Sequence, residues 1–221
     1  MPITIGCYHA HYSNIDIIEQ ALAPYGVELV HYVDPGVDRR KADPYFTLEK
    51  AQDKIKETLD WIAASHVDAV LITCTFFTAH MPDGLNYGIP VIKLDDPLFE
   101  AICRSDRPSL LVFTNPATVQ GTLERLIRYA QQQGRRLDLH SQTIEPSFEL
   151  LMQGRKVKYT ELVASGLQRL AEDNPDRQVW AAQLSMVQAA EHTERACGIR
   201  LGDPLRSLVQ HMADRLGLQR R

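Results

Sequence analysis

The stretch Asp68-Ala69-Val70-Leu71-Ile72-Thr73-Cys74-Thr75-Phe76-Phe77-Thr78-Ala79-His80 decides the fold. Its first half is a short, continuous apolar run with β-branched residues, as expected of a strand buried on both faces of a parallel sheet. The run ends at Cys74 and gives way to a polar, aromatic loop. Ligands gather beyond the carboxyl ends of such strands, so a thiol there opens into a cleft. The other reading of Cys74 is a small buried hydrophobe, the commonest role of a free cysteine.

Outward from this run, strand-like and helical patterns alternate. Toward the amino terminus lie a strand at Ile3 to Cys7, a helix at about Asn14 to Ala23, a strand at Val27 to Val33 and a long helix at Thr47 to Ser65. In the long helix Leu48, Ala51, Ile55, Leu59 and Ile62 recur three and four apart, predicting one buried stripe, with Lys50, Lys54 and Glu57 facing water. Pro90 to Leu94 reads as a fourth strand, and Asp95-Asp96-Pro97 then breaks the pattern. A second set follows: a helix at Leu98 to Arg104, a strand at Ser109 to Phe113, and a helix at Ala117 to Gln133 ended by Gly134. Next come a strand at Arg136 to His140, helices at Glu145 to Gln153 and Lys156 to Glu172, a strand at Gln178 to Ala182 and a helix at Ser185 to Cys197.

This alternation predicts an α/β protein with parallel sheets. The two halves also repeat one layout, a long amphipathic helix, a buried strand and a polar loop. Lys50 to Phe76 lies over Lys158 to Ser185, and Asp68-Ala-Val-Leu-Ile-Thr-Cys74 over Arg177-Gln-Val-Trp-Ala-Ala-Gln183, so Cys74 corresponds to Gln183. Two such domains with matching loops are expected to face each other across one cleft.

The bulk properties narrow the partners. With 221 residues, 44% of them hydrophobic, the chain can bury a substantial core. A formal charge of −4 gives no basic footprint for nucleic acid, and no lysine or arginine run suggests a membrane surface. Met1-Pro2-Ile3-Thr4-Ile5-Gly6 lacks the pattern of a signal peptide, and no apolar stretch is long enough to span a bilayer, so a cytoplasmic location is expected. Cys7, Cys74, Cys103 and Cys197 form no C-x-x-C pair, which predicts reduced thiols. Cys103 and Cys197 fall within predicted helices and read as packing residues.

Several other residues carry chemistry in their types. A thiol at the start of a helix is biased toward thiolate by the local amide dipoles, which applies to Cys74 if His80 to Leu85 is helical. Thr114-Asn115-Pro116-Ala117-Thr118 follows a strand and opens a helix, with Pro116 near the first helical position. Its free amides and hydroxyls suit a carboxylate, and an ordinary capped helix start explains them equally. Ser185 suits either the N-cap of the last strand's following helix, with Gln188 at its third position, or a substrate contact. Cys7, Tyr8 and His9 end the first strand and are expected to line the cleft, where a histidine can shuttle protons. His9 and His11 are two histidines on one loop with no further ligand beside them, so no metal is expected.

The chain contains no G-x-G-x-x-G, P-loop, G-x-S-x-G or H-E-x-x-H pattern, which argues against dinucleotide oxidoreductases, NTPases, α/β-hydrolases and zincins. Chemistry without a cofactor is the simpler expectation. Val-Leu-Ile-Thr-Cys74-Thr-Phe, Gly88-Ile-Pro-Val-Ile-Lys-Leu-Asp-Asp96-Pro, Thr114 to Thr118 and Trp180-Ala-Ala-Gln183-Leu-Ser185-Met, in that order, resemble the aspartate/glutamate/hydantoin racemase superfamily. Arylmalonate decarboxylases and maleate isomerases are relatives in that superfamily. The resemblance spans nearly the whole chain.

The resemblance implies two pseudo-symmetric Rossmann-like α/β domains with the active site between them. They are expected at residues 1–95 plus 203–221, with a carboxy-terminal helix at Asp203 to Leu216 returning to the first domain, and at residues 96–202. It implies a cytoplasmic homodimer in amino acid metabolism, no cofactor, no metal, and a small-molecule carboxylate as substrate. Family racemases place one cysteine at a strand end in each domain, one removing the α-proton and the other reprotonating the opposite face. Cys74 matches the first position and Gln183 occupies the second. Glutamine neither delivers nor accepts a proton at ordinary pH, and Cys-Thr-Phe replaces the family's Cys-Asn-Thr.

The expected function is a cofactor-independent, racemase-like isomerase, or a lyase, acting at the carbon α to a carboxylate. Cys74 serves as acid/base or nucleophile, with His9 or Cys7 as a substitute second base. Tyr8, Thr75, Phe76, Thr114, Asn115, Thr118 and Ser185 are expected around the substrate, with Gln183 on the far side. The alternative is a protein that binds or senses a small carboxylate and has lost catalysis with the second cysteine.

Overall fold

The computed structural model describes residues 2–40, 43–82 and 84–221. The chain packs as two compact units, residues 1–96 with 209–221 and residues 97–208. Each holds its own wholly parallel sheet, the four-stranded sheet in the first and the three-stranded sheet in the second.

In the first unit the strands are β1 (Thr4–His9), β2 (Glu28–Val33), β3 (Ala69–Ile72) and β4 (Val91–Lys93). Their order is β2-β1-β3-β4. The helices are α1 (Asn14–Leu22), α2 (Pro35–Arg40), α3 (Leu48–Ala63) and the short α4 (Thr75–His80). Thr47 caps α3 by accepting a bond from the Lys50 amide at 3.3 Å. The helix then buries Ala51, Ile55, Leu59 and Ile62 against Tyr8, Val70 and Ile72 of β1 and β3. Ile55, Leu59 and Ile62 are fully buried, and each such side chain contributes roughly 1.5–3 kcal/mol of transfer free energy. Leu48, expected on this stripe, is 57% exposed, because it sits in the first turn, ahead of the buried stretch.

Gly6 makes this packing possible. A Cβ at that position would stand 2.4 Å from Cγ2 of Ile62, so only glycine lets α3 approach β1 this closely.

α5 (Asp95–Arg104) begins at the first residue of the break read at Asp95-Asp96-Pro97, three residues before the expected helix start at Leu98. Two carboxylates favour a helix amino terminus, and proline is tolerated in the first turn, so these residues start a helix instead of interrupting one.

The second unit is built from β5 (Ser109–Phe113), α6 (Val119–Gln132), β6 (Leu139–Thr143), α7 (Ser147–Met152), α8 (Lys156–Asp173), β7 (Gln178–Ala181) and α9 (Val187–Cys197). The carboxy-terminal α10 (Pro204–Leu216) follows. The sheet order is β6-β5-β7. β5 is buried along its whole length, with Leu110 and Val112 in the core formed with α8 and α9, and Leu111 and Phe113 in the core formed with α5 and α6. That two-sided cover is why its sequence is a continuous apolar run. β6 starts three residues after the expected Arg136, since its register sets Ser109 opposite Leu139. It is an edge strand with mostly exposed polar residues, so it carries no apolar run to reveal its bounds. Gly134 follows the end of α6 at φ +67°, the left-handed conformation expected just past a helix.

Gly6→Ala should lower the urea midpoint without changing the m-value, at a cost of about 1–3 kcal/mol from overpacking. A midpoint equal to that of the parent protein would show that α3 does not lie on β1 at this distance.

Candidate active site

In an open parallel sheet the strand order reverses at one point, and the loops there diverge to leave a crevice. In the first unit that point lies between β1 and β3, and in the second between β5 and β7. The residues beyond these strands are Ala10 and Thr73-Cys74 in one unit, and Thr114-Asn115 and Ala182-Gln183 in the other.

Cys74 is a half-buried thiol outside any disulfide, in extended conformation at the N-cap of α4. The expected helix at His80 to Leu85 is not formed: α4 starts directly after Cys74 and ends at His80, and Asp83 lies outside the described residues. Cys74 therefore stands at a helix start for a different reason than the sequence suggested. The loop is anchored by the buried Asp95, whose two carboxylate oxygens accept bonds from Thr75 Oγ1 at 3.2 Å and Thr78 Oγ1 at 2.9 Å. Phe76 packs edge-on against His80, with ring centroids 4.3 Å apart, and Phe77 stacks on Tyr8 at 4.4 Å. Thr75 and Phe76 thus flank Cys74 on its helix.

The first strand runs on to His9, so Cys7, Tyr8 and His9 are buried strand residues and not members of a loop. Alternation along the strand sets Cys7 and His9 on one face and Tyr8 on the other, with α3. Burial lifts the Tyr8 phenol above its ordinary range, as do the nearby charges of Asp34, Cys74 and Glu57, while Thr58 acts the other way. Burial pushes the Cys7 thiol up to about 12, with the charge of Glu19 adding to it. Cys7 stays protonated and is no base at neutral pH.

His9 belongs to a continuous hydrogen-bonded row. Its Nδ1 lies 2.7 Å from Thr73 Oγ1, its Nε2 lies 2.9 Å from His31 Nδ1, and His31 Nε2 lies 3.1 Å from Glu19 Oε1. An ionised Glu19 only accepts, so His31 donates to it through Nε2, and in the neutral tautomer it accepts through Nδ1. His9 then donates through Nε2 and accepts the Thr73 hydroxyl proton at Nδ1. His11, by contrast, bonds Ser13 at 2.8 Å and stays outside this row.

The second unit holds a different arrangement. Gln183, at the N-cap of the 3-10 turn Leu184–Met186, places its carboxamide oxygen 2.7 Å from the Thr114 amide, 3.1 Å from the Asn115 amide and 2.9 Å from Thr114 Oγ1. Its Nε2 donates to Thr118 Oγ1 at 3.3 Å. Asn115 caps the 3-10 turn Pro116–Thr118, its side chain accepting from the Ala117 amide at 3.1 Å. Three donors thus converge on one oxygen at the loop read as a carboxylate cradle, and that oxygen is the chain's own. Ser185 does not cap α9: it lies inside the 3-10 turn and accepts a bond from the Tyr159 hydroxyl at 3.0 Å, while Met186 holds the N-cap position. Tyr159 also lies 3.2 Å from Thr114 Oγ1, which ties Ser185 to the cradle.

The structure therefore brings Thr114, Asn115, Thr118, Gln183 and Ser185 together in one unit, and Cys74, Thr75 and Phe76 together in the other. Tyr159, Asp95, Thr73 and His31 were missed. Tyr159 and His31 lie inside a helix and a strand whose patterns signal packing alone, and their partners are far away in sequence. The hydroxyls of Thr73 and of Asp95's two donors, Thr75 and Thr78, lay within the quoted stretch itself, the one signal that pointed to them.

The sequence matches no protein-family model and no curated protein. Solved structures do match. An aspartate racemase from Picrophilus torridus superposes with a TM-score of 0.69 at 13% identity, over 99% of this chain and 96% of that one. A glutamate racemase from Bacillus anthracis does so at 0.70 and 13% identity, over 97% and 82%. An allantoin racemase from Pseudomonas fluorescens gives 0.66 at 17% identity, over 99% and 94%. The chain has the fold of these racemases. In this racemase fold Cys74 and Gln183 hold like positions, each an extended N-cap residue between a buried strand and a helical turn. Among the described residues, no helix is long and apolar enough to cross a membrane.

Two outcomes follow from this geometry. Gln183→Ala leaves the Thr114 and Asn115 amides without their common acceptor and should cost about 1–3 kcal/mol in denaturant unfolding; no loss would mean the carboxamide does not occupy the cradle in solution. His9 is held down to about 4, by burial first and by the His31 ring second. An unfolded histidine titrates near 6.5, so between these values the unfolded chain binds a proton that the folded chain does not. The stabilisation is complete above about pH 6.5 and is lost as pH falls toward about 4, an effect on the order of 2–3 kcal/mol. His9→Gln should flatten the fall in unfolding free energy across this range, and an identical slope in both proteins would count against a neutral, buried His9.

Proposed function

We propose that this protein is a cofactor-independent enzyme that moves a proton at the carbon α to the carboxylate of a small acid, with Cys74 as the proton-transfer thiol. The observation that carries this reading is the place of Cys74, a half-buried thiol outside any disulfide, two residues beyond β3, at the reversal point of a sheet with the racemase fold. Thr75 and Phe76 border it on α4.

Gln183 supports one-thiol chemistry. Its amide neither supplies nor takes a proton at neutral pH, and it is held by Thr114, Asn115 and Thr118. Cys7, protonated and buried, does not replace a second thiol. One thiol suffices for two outcomes. The thiolate takes the α-proton and returns it to the same face, or loss of CO₂ leaves an enediolate whose carbon takes the thiol proton, water then restoring the thiol. The two amides and one hydroxyl that now bond the Gln183 oxygen suit a carboxylate oxygen in its place.

Proton NMR in D₂O tests this with both enantiomers of aspartate and glutamate, hydantoins, maleate and substituted malonates. The expected result is deuteration with retained configuration, isomerisation, or CO₂ loss in one of these compounds, reduced at least about 100-fold by Cys74→Ala. Turnover unchanged in Cys74→Ala would refute the assignment of Cys74. A raised melting temperature with no consumption of any compound would make the protein a carboxylate binder instead.

A further inference from the structure

Cys7 and His9 stand two residues apart on one face of β1, and the parallel register sets Cys7 directly beside His31 of β2. The Cys7 sulfur and one nitrogen from each ring all lie within 4.8 Å of one another. Cys7 and His9 are fully buried, and the His31 side chain is 14% exposed. We infer that Cys7, His9 and His31 form a binding site for a divalent d-block cation of the zinc class, independent of the proposed chemistry at Cys74.

The ligand set selects that class. One thiolate and two imidazoles are soft to borderline donors that suit zinc or its neighbours and not magnesium or calcium. Donor atoms around one tetrahedral zinc stand roughly 3.3–3.6 Å apart, given bonds of about 2.0–2.3 Å. The two imidazole nitrogens, now 2.9 Å apart, need only part slightly, and the sulfur needs only to close in. The thiol has little to hold it back, since its bond to the Ile5 carbonyl is long at 3.8 Å.

The surroundings match the outer shell that metal-bound histidines require, a partner on the ring nitrogen away from the metal. His31 Nε2 donates to the Glu19 carboxylate at 3.1 Å. His9 Nδ1 faces Thr73 Oγ1 at 2.7 Å, and that hydroxyl can turn its own proton to the Tyr8 carbonyl at 3.4 Å. Binding shifts the His9 proton from Nε2 to Nδ1, which costs no net proton, and frees both facing nitrogens for the metal. The only proton released is that of the Cys7 thiol. Charge also balances: the dication meets one thiolate and one carboxylate, so the buried site ends neutral. The three side chains join β1 to β2, and through Glu19 to α1, and fix Thr73 one residue before Cys74.

The test uses the full chain, freed of metal with a chelator and titrated with Co²⁺. The expected result is one Co²⁺ per chain, with a thiolate-to-cobalt charge-transfer band, release of one proton per chain in weak buffer, and a melting temperature that rises with metal concentration. Zn²⁺ should bleach the band. Cys7→Ser should abolish it and Cys74→Ser should leave it intact. His31→Gln, at a half-buried position, should weaken Co²⁺ binding at least tenfold and serves in place of Cys7→Ser if circular dichroism shows that variant unfolded. The proposal is overturned if the unmodified chain shows no thiolate band, if the band survives Cys7→Ser, or if it moves with Cys74→Ser. Unaltered affinity in folded His31→Gln would overturn it equally.

Discussion

The parallel pairing of β3 with β1, and of β7 with β5, is the constraint on which everything else in the molecule depends. A parallel ladder forces each connection across a face of the sheet, so both faces become covered and the strands become continuous apolar runs. It also sends every strand in one direction, so that all carboxyl ends open on one edge. Polar side chains excluded from the core collect there, and the reversal of strand order decides which loops part. Cys74 and Gln183 are where they are because each is the first polar-facing position beyond a strand that the core has filled.

The two strand ends then diverge in chemistry while keeping one backbone plan. In the first unit the hydroxyls near the strand end bond two different groups: Thr75 and Thr78 bond Asp95, and Thr73 bonds His9. In the second they converge on Gln183. An amide oxygen is a good geometric substitute for one carboxylate oxygen but carries no full charge, so the same three donors hold it less strongly than they would an anion. A charged ligand therefore has a free-energy advantage over the side chain that now fills the cradle, less the cost of turning the glutamine out. This makes Gln183 a competitor for the cradle as well as its present occupant.

The legible part of the sequence was the part governed by period and by strong local signals. α3 was visible because Ala51, Ile55, Leu59 and Ile62 repeat at helical spacing, and β5 was visible because both its faces are buried. The Thr114 to Thr118 loop was visible because proline, asparagine and threonine at a strand-to-helix junction have few other uses. β6 was not, since an exposed edge strand is under no pressure to be apolar. Asp95 misled because two acidic residues before a proline read as a break when seen alone, although they suit a helix start. The row from Thr73 to Glu19 was out of reach: its members come from β1, β2, α1 and the end of β3, and only the register of parallel strands brings them together. The Gln183 side chain reaches a loop 68 and 69 residues away for the same reason.

That row also bears on why polar residues persist inside a layer that apolar ones would fill at lower cost. Burying imidazoles is tolerable only when each nitrogen has a partner of the right sense. Here an ionised Glu19 beside a neutral His31 sets the sense at one end, and the bonds from His31 to His9 to Thr73 follow from it. A leucine at His9 would leave His31 Nδ1 short of a partner inside the layer, while Thr73 Oγ1 would keep the Tyr8 carbonyl and the Asn14 side chain. Cys7 is the exception, lying beside both rings yet joined only by a long contact to the Ile5 carbonyl. A thiol at that position packs as a small apolar group and adds almost nothing to the hydrogen bonding of two imidazoles already paired. Beside two imidazoles whose facing nitrogens stand within its reach, that sulfur also offers a third donor to one electron-poor centre, which is what the proposed ligand set adds to a polar core.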